Sequence, residues 1–114
     1  MLPKKGRIKR EFFEDITRNS SVFQSPYFSL RYIENKQKKA LFSCVISKKV
    51  EKKSVERHRI KRQVYEVIDS FLKKKAIKEG YSVIIYIRNP FTTLTFSQKQ
   101  EVLLDVLRKV RIIA

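Results

Sequence analysis

Residues 47–80 read SKKVEKKSVERHRIKRQVYEVIDSFLKKKAIKEG, and the long helix predicted within them organises the rest of the chain. Its apolar side chains recur at spacings of three, four and one residues, which is typical of a helix with one buried stripe. That stripe consists of Ile60, Val64, Val67, Ile68, Phe71 and Leu72. At about 100° per residue, His58, Lys61, Arg62 and Tyr65 share one flank. We therefore expect a core helix whose basic outer surface faces a polyanion.

The charge of the whole chain indicates the same kind of partner. Its 27 Lys and Arg residues outnumber 11 Asp and Glu residues, and the formal net charge is +16. Such an excess strains a compact fold by self-repulsion, so it usually has a polyanionic partner. Nucleic acid is the first expectation and an anionic membrane surface is the second. There is no run of about 18 apolar residues and no secretory signal, so we expect a soluble, cytoplasmic protein.

The length allows one hydrophobic core. The chain has 114 residues, 42% of them hydrophobic, which leaves no room for a second domain. We predict a single domain over residues 1–114, with residues 1–8 as a flexible basic arm and Ile8 as its first apolar anchor. Cys44 is the only cysteine and His58 the only histidine, so we expect neither an intrachain disulfide nor a zinc site.

Six elements are predicted in total. They are a helix over 9–18, strands over 27–33 and 40–47 joined as a hairpin by 34–39, the long helix, a strand over 81–88 and a final helix. Ser54 is expected to cap the long helix, and Gly80 is expected to end it as the C′ residue. Ser97 and Gln100 fit a capping box for the final helix. The order α-β-β-α-β-α predicts an α+β fold, or α/β sandwich, in which helices pack on a small sheet.

No catalytic constellation is recognisable in the sequence. His58 lies in the basic helix and Cys44 lies in a strand, so a buried thiol and an RNA-facing imidazole are favoured over a nucleophile with its base. Two sets of carboxylates have spacings that could hold Mg²⁺. They are Glu11, Glu14 and Asp15 on the first helix and Glu66 and Asp69 on the long helix. Ion pairs with neighbouring Arg and Lys are favoured for them.

Aromatic side chains beside the basic helix favour single-stranded nucleic acid. Phe13, Tyr27, Phe28 and Tyr32 are expected on the flank of the sheet. Rings stack on splayed bases, while Lys and Arg follow the phosphates. One aromatic residue in a β-strand, taken by itself, is more often a core residue than a platform for a base. A run of charged residues is likewise more often a solvated face than a binding site. The density of charge from 57 to 62 therefore carries the prediction.

Two basic motifs then identify a family. They are Val45-Ile46-Ser47-Lys48-Lys49-Val50 and Val55-Glu56-Arg57-His58-Arg59-Ile60-Lys61-Arg62. Together they closely resemble the protein subunit of bacterial ribonuclease P, in which a Ser-Lys-Lys strand end precedes an Arg-Asn-Arg-x-x-Lys/Arg basic helix. His58 stands in place of the Asn of that family, and Tyr65 stands where a further Arg is common.

The resemblance implies a function and a fold. In that family a Mg²⁺-dependent catalytic RNA forms the mature 5′ end of tRNA, and the protein is the accessory subunit of this ribonucleoprotein endoribonuclease. The implied partners are the catalytic RNA and precursor tRNA, with no membrane and no obligate protein partner, and Mg²⁺ is implied to be bound mainly by the RNA. The implied fold is ribosomal S5 domain 2-like, with a left-handed β-α-β crossover.

The resemblance also assigns residues. RNA contacts are implied at Lys48, Lys49, Arg57, His58, Arg59, Lys61 and Arg62. A cleft for the single-stranded 5′ leader is implied at Phe13, Phe28 and Tyr65. Two other functions stay open, a basic ribosomal or RNA-assembly protein without a role in tRNA cleavage and a protein nuclease acting alone. The nuclease is disfavoured because it needs carboxylates gathered on one face.

Overall fold

The computed structural model describes residues 7–35, 39–74, 77 and 79–112. These residues contain the strands β1 (Ser21–Gln24), β2 (Phe28–Glu34), β3 (Leu41–Val45) and β4 (Tyr81–Ile87) and the helices α1 (Phe13–Asn19), α2 (Ser54–Lys73), α3 (Asn89–Thr92) and α4 (Phe96–Lys109). A 3₁₀ turn over Arg10–Phe12 leads into α1. The predicted α+β class is confirmed. Within these residues, no helix is both long enough and apolar enough to cross a membrane.

The strands form one sheet in the order β1-β2-β4-β3. Strand β2 is antiparallel to both β1 and β4, whereas β3 is parallel to β4. The predicted hairpin between β2 and β3 is therefore wrong. The central place belongs to β4 because it is apolar on both faces, with Val83, Ile84 and Ile85 all at 0% exposure. Helix α2 connects the parallel neighbours β3 and β4, and the left-handed sense of this crossover stays a prediction.

Strand β1 and the one-turn helix α3 are elements that the sequence patterns did not predict. Among the described residues, Ser21–Gln24 pairs with β2 alone and is mostly exposed. A short exposed edge strand needs no apolar alternation, so periodicity does not mark it. Pro90 lies in the first turn of α3, where its missing N–H costs no hydrogen bond.

Each face of the sheet has its own apolar cluster. The main core lies under α2 and α4 and includes Phe28, Leu30 and Ile85. The opposite face carries a smaller cluster under α1. Its buried members are Ile8, Ile16, Leu41 and Ile84. The N–H of Ile8 donates to the carbonyl of Phe42 at 3.1 Å, so the predicted apolar anchor attaches to β3. Residues 1–6 of the predicted arm lie outside the described residues.

The helix ends differ from the predicted ones. Lys53 is the N-cap residue of α2, and Ser54 is already helical, so the predicted Ser54 cap is wrong. Helix α2 ends at Lys73, and Gly80 instead takes a φ of 91° in the turn before β4. The prediction of Gly80 as the C′ residue is therefore also wrong.

The capping box of α4 lies two residues earlier than predicted. Thr95 Oγ1 accepts from the N–H of Gln98 at 3.2 Å, and Gln98 Oε1 accepts from the N–H of Thr95 at 3.0 Å. The segment TFSQKQ matches the capping pattern twice, at Thr95 and at Ser97. The earlier match is used because it lengthens the helix and adds backbone hydrogen bonds.

Candidate nucleic-acid interface

The loop between β3 and α2 is closed by Arg57. The N–H groups of Val50 and Glu51 both donate to the carbonyl of Ser47 at 3.1 Å, which forms a tight turn. The guanidinium of Arg57 then donates to the carbonyls of Glu51 and Lys52, each at 2.9 Å. Arg57 therefore holds the loop against the start of α2, and this turn carries the exposed Lys48 and Lys49.

The first turns of α2 form a small polar concavity. It has a volume of about 160 Å³ and is lined by Ser54, Arg57, His58 and Lys61. The unpaired N–H groups and the positive dipole end of the helix lie here, and both favour an anion. The site suits a phosphate group because cationic side chains and the helix end act in the same direction.

In the part of the chain that the structure describes, the basic side chains around this concavity have no protein counter-ion. Among the described residues, the side chains of Lys48, Lys49, His58, Lys61 and Arg62 make no hydrogen bond and no ion pair. We call these residues the basic surface. Four of them are exposed and Lys61 is half-buried. The charge of Lys48, Lys49, Lys61 and Arg62 remains available to an external polyanion.

Arg59 lies on a different flank of α2 and does have a partner. Its Nε and Nη2 atoms donate to Glu56 Oε2 at 3.1 and 2.8 Å. The side chain of Arg59 is 55% exposed, so solvent screens this pair. The predicted RNA contacts of α2 therefore fall into three groups. His58, Lys61 and Arg62 belong to the basic surface, Arg57 is bound to two loop carbonyls, and Arg59 is bound to a carboxylate.

Tyr65 fastens α2 to the sheet. Its hydroxyl accepts from the N–H of Cys44 at 3.0 Å, and its ring is 9% exposed. The guanidinium of Arg7 lies 5.2 Å from the centre of that ring. Tyr65 thus joins α2, β3 and the N-terminal segment. The Cys44 thiol is buried as predicted, and burial raises its pKa to about 12.

The structure does not bring the three predicted leader-cleft residues together. Phe28 has 0% exposure in the main core and makes an edge-to-face contact with Phe91 at a centroid distance of 5.9 Å. Its ring therefore belongs to the core and has no surface to offer a base. Tyr65 lies on α2 against the edge of β3. Phe13 alone lies on the opposite face of the sheet, where it is half-buried against the smaller cluster.

Two residues on that opposite face were not predicted as site residues. Tyr86 is half-buried and packs against the same cluster as Phe13. Arg31 points to this face too, since it pairs with Ile84, and its guanidinium donates to the carbonyl of Thr17 at 3.0 Å. We call Phe13, Arg31 and Tyr86 the open sheet face. Successive residues of a strand point to opposite faces of the sheet, so a core position for Phe28 puts Arg31 on this face. The sequence pattern of β2 could therefore have predicted the position of Arg31.

The carboxylates form ion pairs in part. Glu14 pairs with Arg18 at 2.5 Å and Asp69 pairs with Lys73 at 3.2 Å, which confirms the predicted pairing for these two. In the described ranges, no three His, Cys, Asp or Glu side chains come close enough together to hold a metal ion.

Comparison with known proteins gives one consistent result. The family model for ribonuclease P matches residues 2–111. The ribonuclease P protein component of Pseudanabaena sp. is 24% identical over 115 residues, which span 99% of this chain and 97% of the relative. That of Mycoplasma genitalium is 23% identical over 103 residues, or 90% and 78% of the two chains. A solved mutant of the Staphylococcus aureus RNase P protein superposes with a TM-score of 0.87 and 25% identity, covering 96% of this chain and 92% of that one.

Proposed function

The chain belongs to the ribonuclease P protein family, and from that premise we propose which of its surfaces bind RNA. It is the accessory protein subunit of a ribonucleoprotein endoribonuclease. We propose that its partners are the catalytic RNA and precursor tRNA, that Mg²⁺ is bound mainly by the RNA, and that the complex works in the cytoplasm.

The basic surface is the proposed contact for the catalytic RNA. The observation that carries this proposal is the set of Lys and Arg side chains beside the N-terminus of α2 that have no counter-ion among the described residues. Phosphates replace the missing counter-ions and release condensed salt, which favours binding. Arg57 supports this surface by holding the loop of Lys48 and Lys49 through two carbonyls. Arg59 joins the basic surface once its guanidinium leaves the Glu56 carboxylate.

The open sheet face is the proposed contact for the 5′ leader. Phe13 and Tyr86 offer partly exposed rings on one side of the sheet, and a base stacks on either kind of ring. Arg31 adds a positive charge nearby. Phe28 and Tyr65 are left out of this contact because both are buried. A surface of rings and one arginine suits an unpaired strand of variable sequence.

The protein assists the reaction through binding and charge. Its cations reduce repulsion between the phosphates of two RNA molecules, a task that Mg²⁺ performs when protein is absent. The effect of the protein should therefore be largest at low Mg²⁺. The chemical step is assigned to the catalytic RNA.

Reconstitution tests the proposal directly. The full chain is added to a bacterial ribonuclease P RNA at low Mg²⁺, and cleavage of a precursor tRNA is followed. We expect strong stimulation, and a variant with Lys48, Lys49 and Arg62 changed to Ala should stimulate much less. The matched control changes Lys73, Arg108 and Lys109, three exposed cations outside the basic surface.

Two outcomes would contradict the proposal. If the chain binds ribosomal RNA and fails to stimulate cleavage, it acts as a ribosomal or assembly protein. Cleavage by protein that is rigorously free of RNA would contradict the accessory role.

A further inference from the structure

Gln24 and Arg88 form a polar pair across one end of the sheet. Arg88 Nη2 donates to Gln24 Oε1, and both residues are exposed. The backbone N–H of Arg88 donates to the carbonyl of Tyr27 at 2.9 Å, which fixes this arginine just before the start of β2. Among the described residues, Arg88 makes no ion pair. Its positive charge and its other N–H donors therefore remain available to a ligand.

The register of the strands puts this pair beside the ring of Tyr86. Gln24 lies opposite Ser29, and Ser29 lies opposite Tyr86, so the three side chains form one row on the same face of the sheet. Neighbouring strands are about 4.8 Å apart, which puts the backbone of Gln24 roughly 10 Å from that of Tyr86. Arg88 follows Tyr86 by two positions and reaches Gln24, so it points to this face too. The pair thus borders the open sheet face.

The position of the pair suits the recognition of a base edge. Tyr86 is half-buried, and a base that stacks on its ring presents its hydrogen-bonding edge to the side. Ser29 is the only residue between Tyr86 and Gln24 in this row, and its side chain is short. No bulky group of the row therefore separates the base from the polar pair.

The free groups of the pair are mainly hydrogen-bond donors. A guanidinium has N–H donors and no acceptor, and the amide nitrogen of Gln24 adds further donors. Guanine suits this set because its O6 and N7 are adjacent acceptors that an arginine can bind in a bidentate way. Adenine has an amino donor in place of O6, so it would turn a donor toward the donors of Arg88.

We propose that Arg88, held in place by Gln24, reads the edge of the leader base that stacks on Tyr86 and favours guanine there. This inference rests on the proposed function, because it needs the 5′ leader on the open sheet face. Arg88 is the specificity-determining residue. Gln24 is a positioning residue, because its side-chain oxygen orients the guanidinium before RNA binds, and an oriented donor loses less entropy on binding.

A pool of precursor tRNAs with randomised leader nucleotides tests the preference. The full chain and a bacterial ribonuclease P RNA cleave the pool at low Mg²⁺, and sequencing gives the relative kcat/KM for each base at each leader position. The RNA alone at high Mg²⁺ supplies the preference that does not come from the protein. We expect the protein to add a preference for guanine over adenine of about 5- to 10-fold at one position, the lower range for a bidentate contact.

Three variants separate base recognition from simple charge. Arg88→Lys keeps the charge but lacks the planar fork, so it should lose the guanine preference to a greater degree than it loses affinity for the leader. Arg88→Ala should lose both. Gln24→Ala should reduce the preference, because the guanidinium is no longer held. The matched control is Arg108→Ala, which removes one exposed arginine from α4 and should keep the preference.

The outcomes separate this inference from the proposed function. The inference is overturned if the protein adds no guanine preference at any leader position, or if the preference survives in Arg88→Lys, since Arg88 would then act only as a charge. It is also overturned if Arg108→Ala loses the preference equally. A preference that survives in Gln24→Ala overturns the positioning role. If the complex binds leader-bearing and mature tRNA equally well, the proposed leader contact itself fails first.

Discussion

The hydroxyl of Tyr65 accepts a hydrogen bond from the backbone N–H of Cys44 at 3.0 Å, and this bond fixes α2 against β3. The neighbouring carbonyl of Phe42 accepts from Ile8. Strand β3 is an edge strand, and its outer side is thus covered by one tyrosine from α2 and by the N-terminal segment. The basic surface owes its position to this attachment.

Tyr65→Phe should destabilise the fold by about 1 to 3 kcal/mol, because it leaves the buried N–H of Cys44 without an acceptor. The free energy of unfolding in urea measures the loss. Tyr81→Phe is the control, since the Tyr81 hydroxyl meets Glu34 at 3.4 Å in an exposed place. Equal losses in the two variants would contradict the role given to Tyr65.

The buried thiol of Cys44 predicts a pH effect on stability. Its pKa is raised from 9.0 to about 12, so the folded state keeps the proton while the unfolded state loses it. The stabilisation is complete below pH 9 and is lost as the pH rises from 9 towards 12. The difference in unfolding free energy between the unaltered chain and Cys44→Ala should therefore shrink above pH 9. A constant difference would mean that the thiol titrates normally.

The basic surface predicts how RNA binding depends on salt. Changing Lys49, Lys61 and Arg62 together to Ala should flatten the slope of log K against log salt by about two to three units, at roughly 0.7 to 0.9 per phosphate contact. The affinity for the catalytic RNA is measured over a range of KCl concentrations.

The matched control for the salt experiment changes Lys73, Arg108 and Lys109 to Ala. This control variant lowers the net charge by the same amount as the test variant. If it flattens the salt slope to a similar degree, the effect comes from the overall charge, and the RNA contact is not on α2.

Phe13 and Phe28 should respond in opposite ways to truncation. Phe13→Ala should weaken binding of leader-bearing precursor tRNA by about 1 to 3 kcal/mol and leave mature tRNA unaffected, because a stacked base loses its platform. Phe28→Ala should instead destabilise the fold by about 3 to 5 kcal/mol, because it removes a fully buried ring from the core.

Thermal unfolding, measured beside both tRNA affinities, separates the two effects on Phe13 and Phe28. An equal loss for leader-bearing and mature tRNA in Phe13→Ala would remove Phe13 from the leader contact.

Local patterns in the sequence determined the α+β class, the strands β2, β3 and β4, and the buried stripe of α2. Periodicity suffices for these elements because a helix or strand buries the face that its own spacing makes apolar. The charge excess and the motif from Arg57 to Arg62 likewise indicated an RNA partner and the family. Those properties depend on residues close together in the chain.

Only the tertiary structure decided which strands are neighbours and which side chains are free. The hairpin prediction failed because β4, distant in sequence, is apolar on both faces and takes the centre of the sheet. Phe28 and Phe13 look alike in sequence, yet packing puts Phe28 in the main core and Phe13 on the open sheet face. Lys99 reads as one more surface lysine until α4 packs against α2 and buries it. Long-range packing sets burial, and burial decides whether a ring or a charge is available for binding.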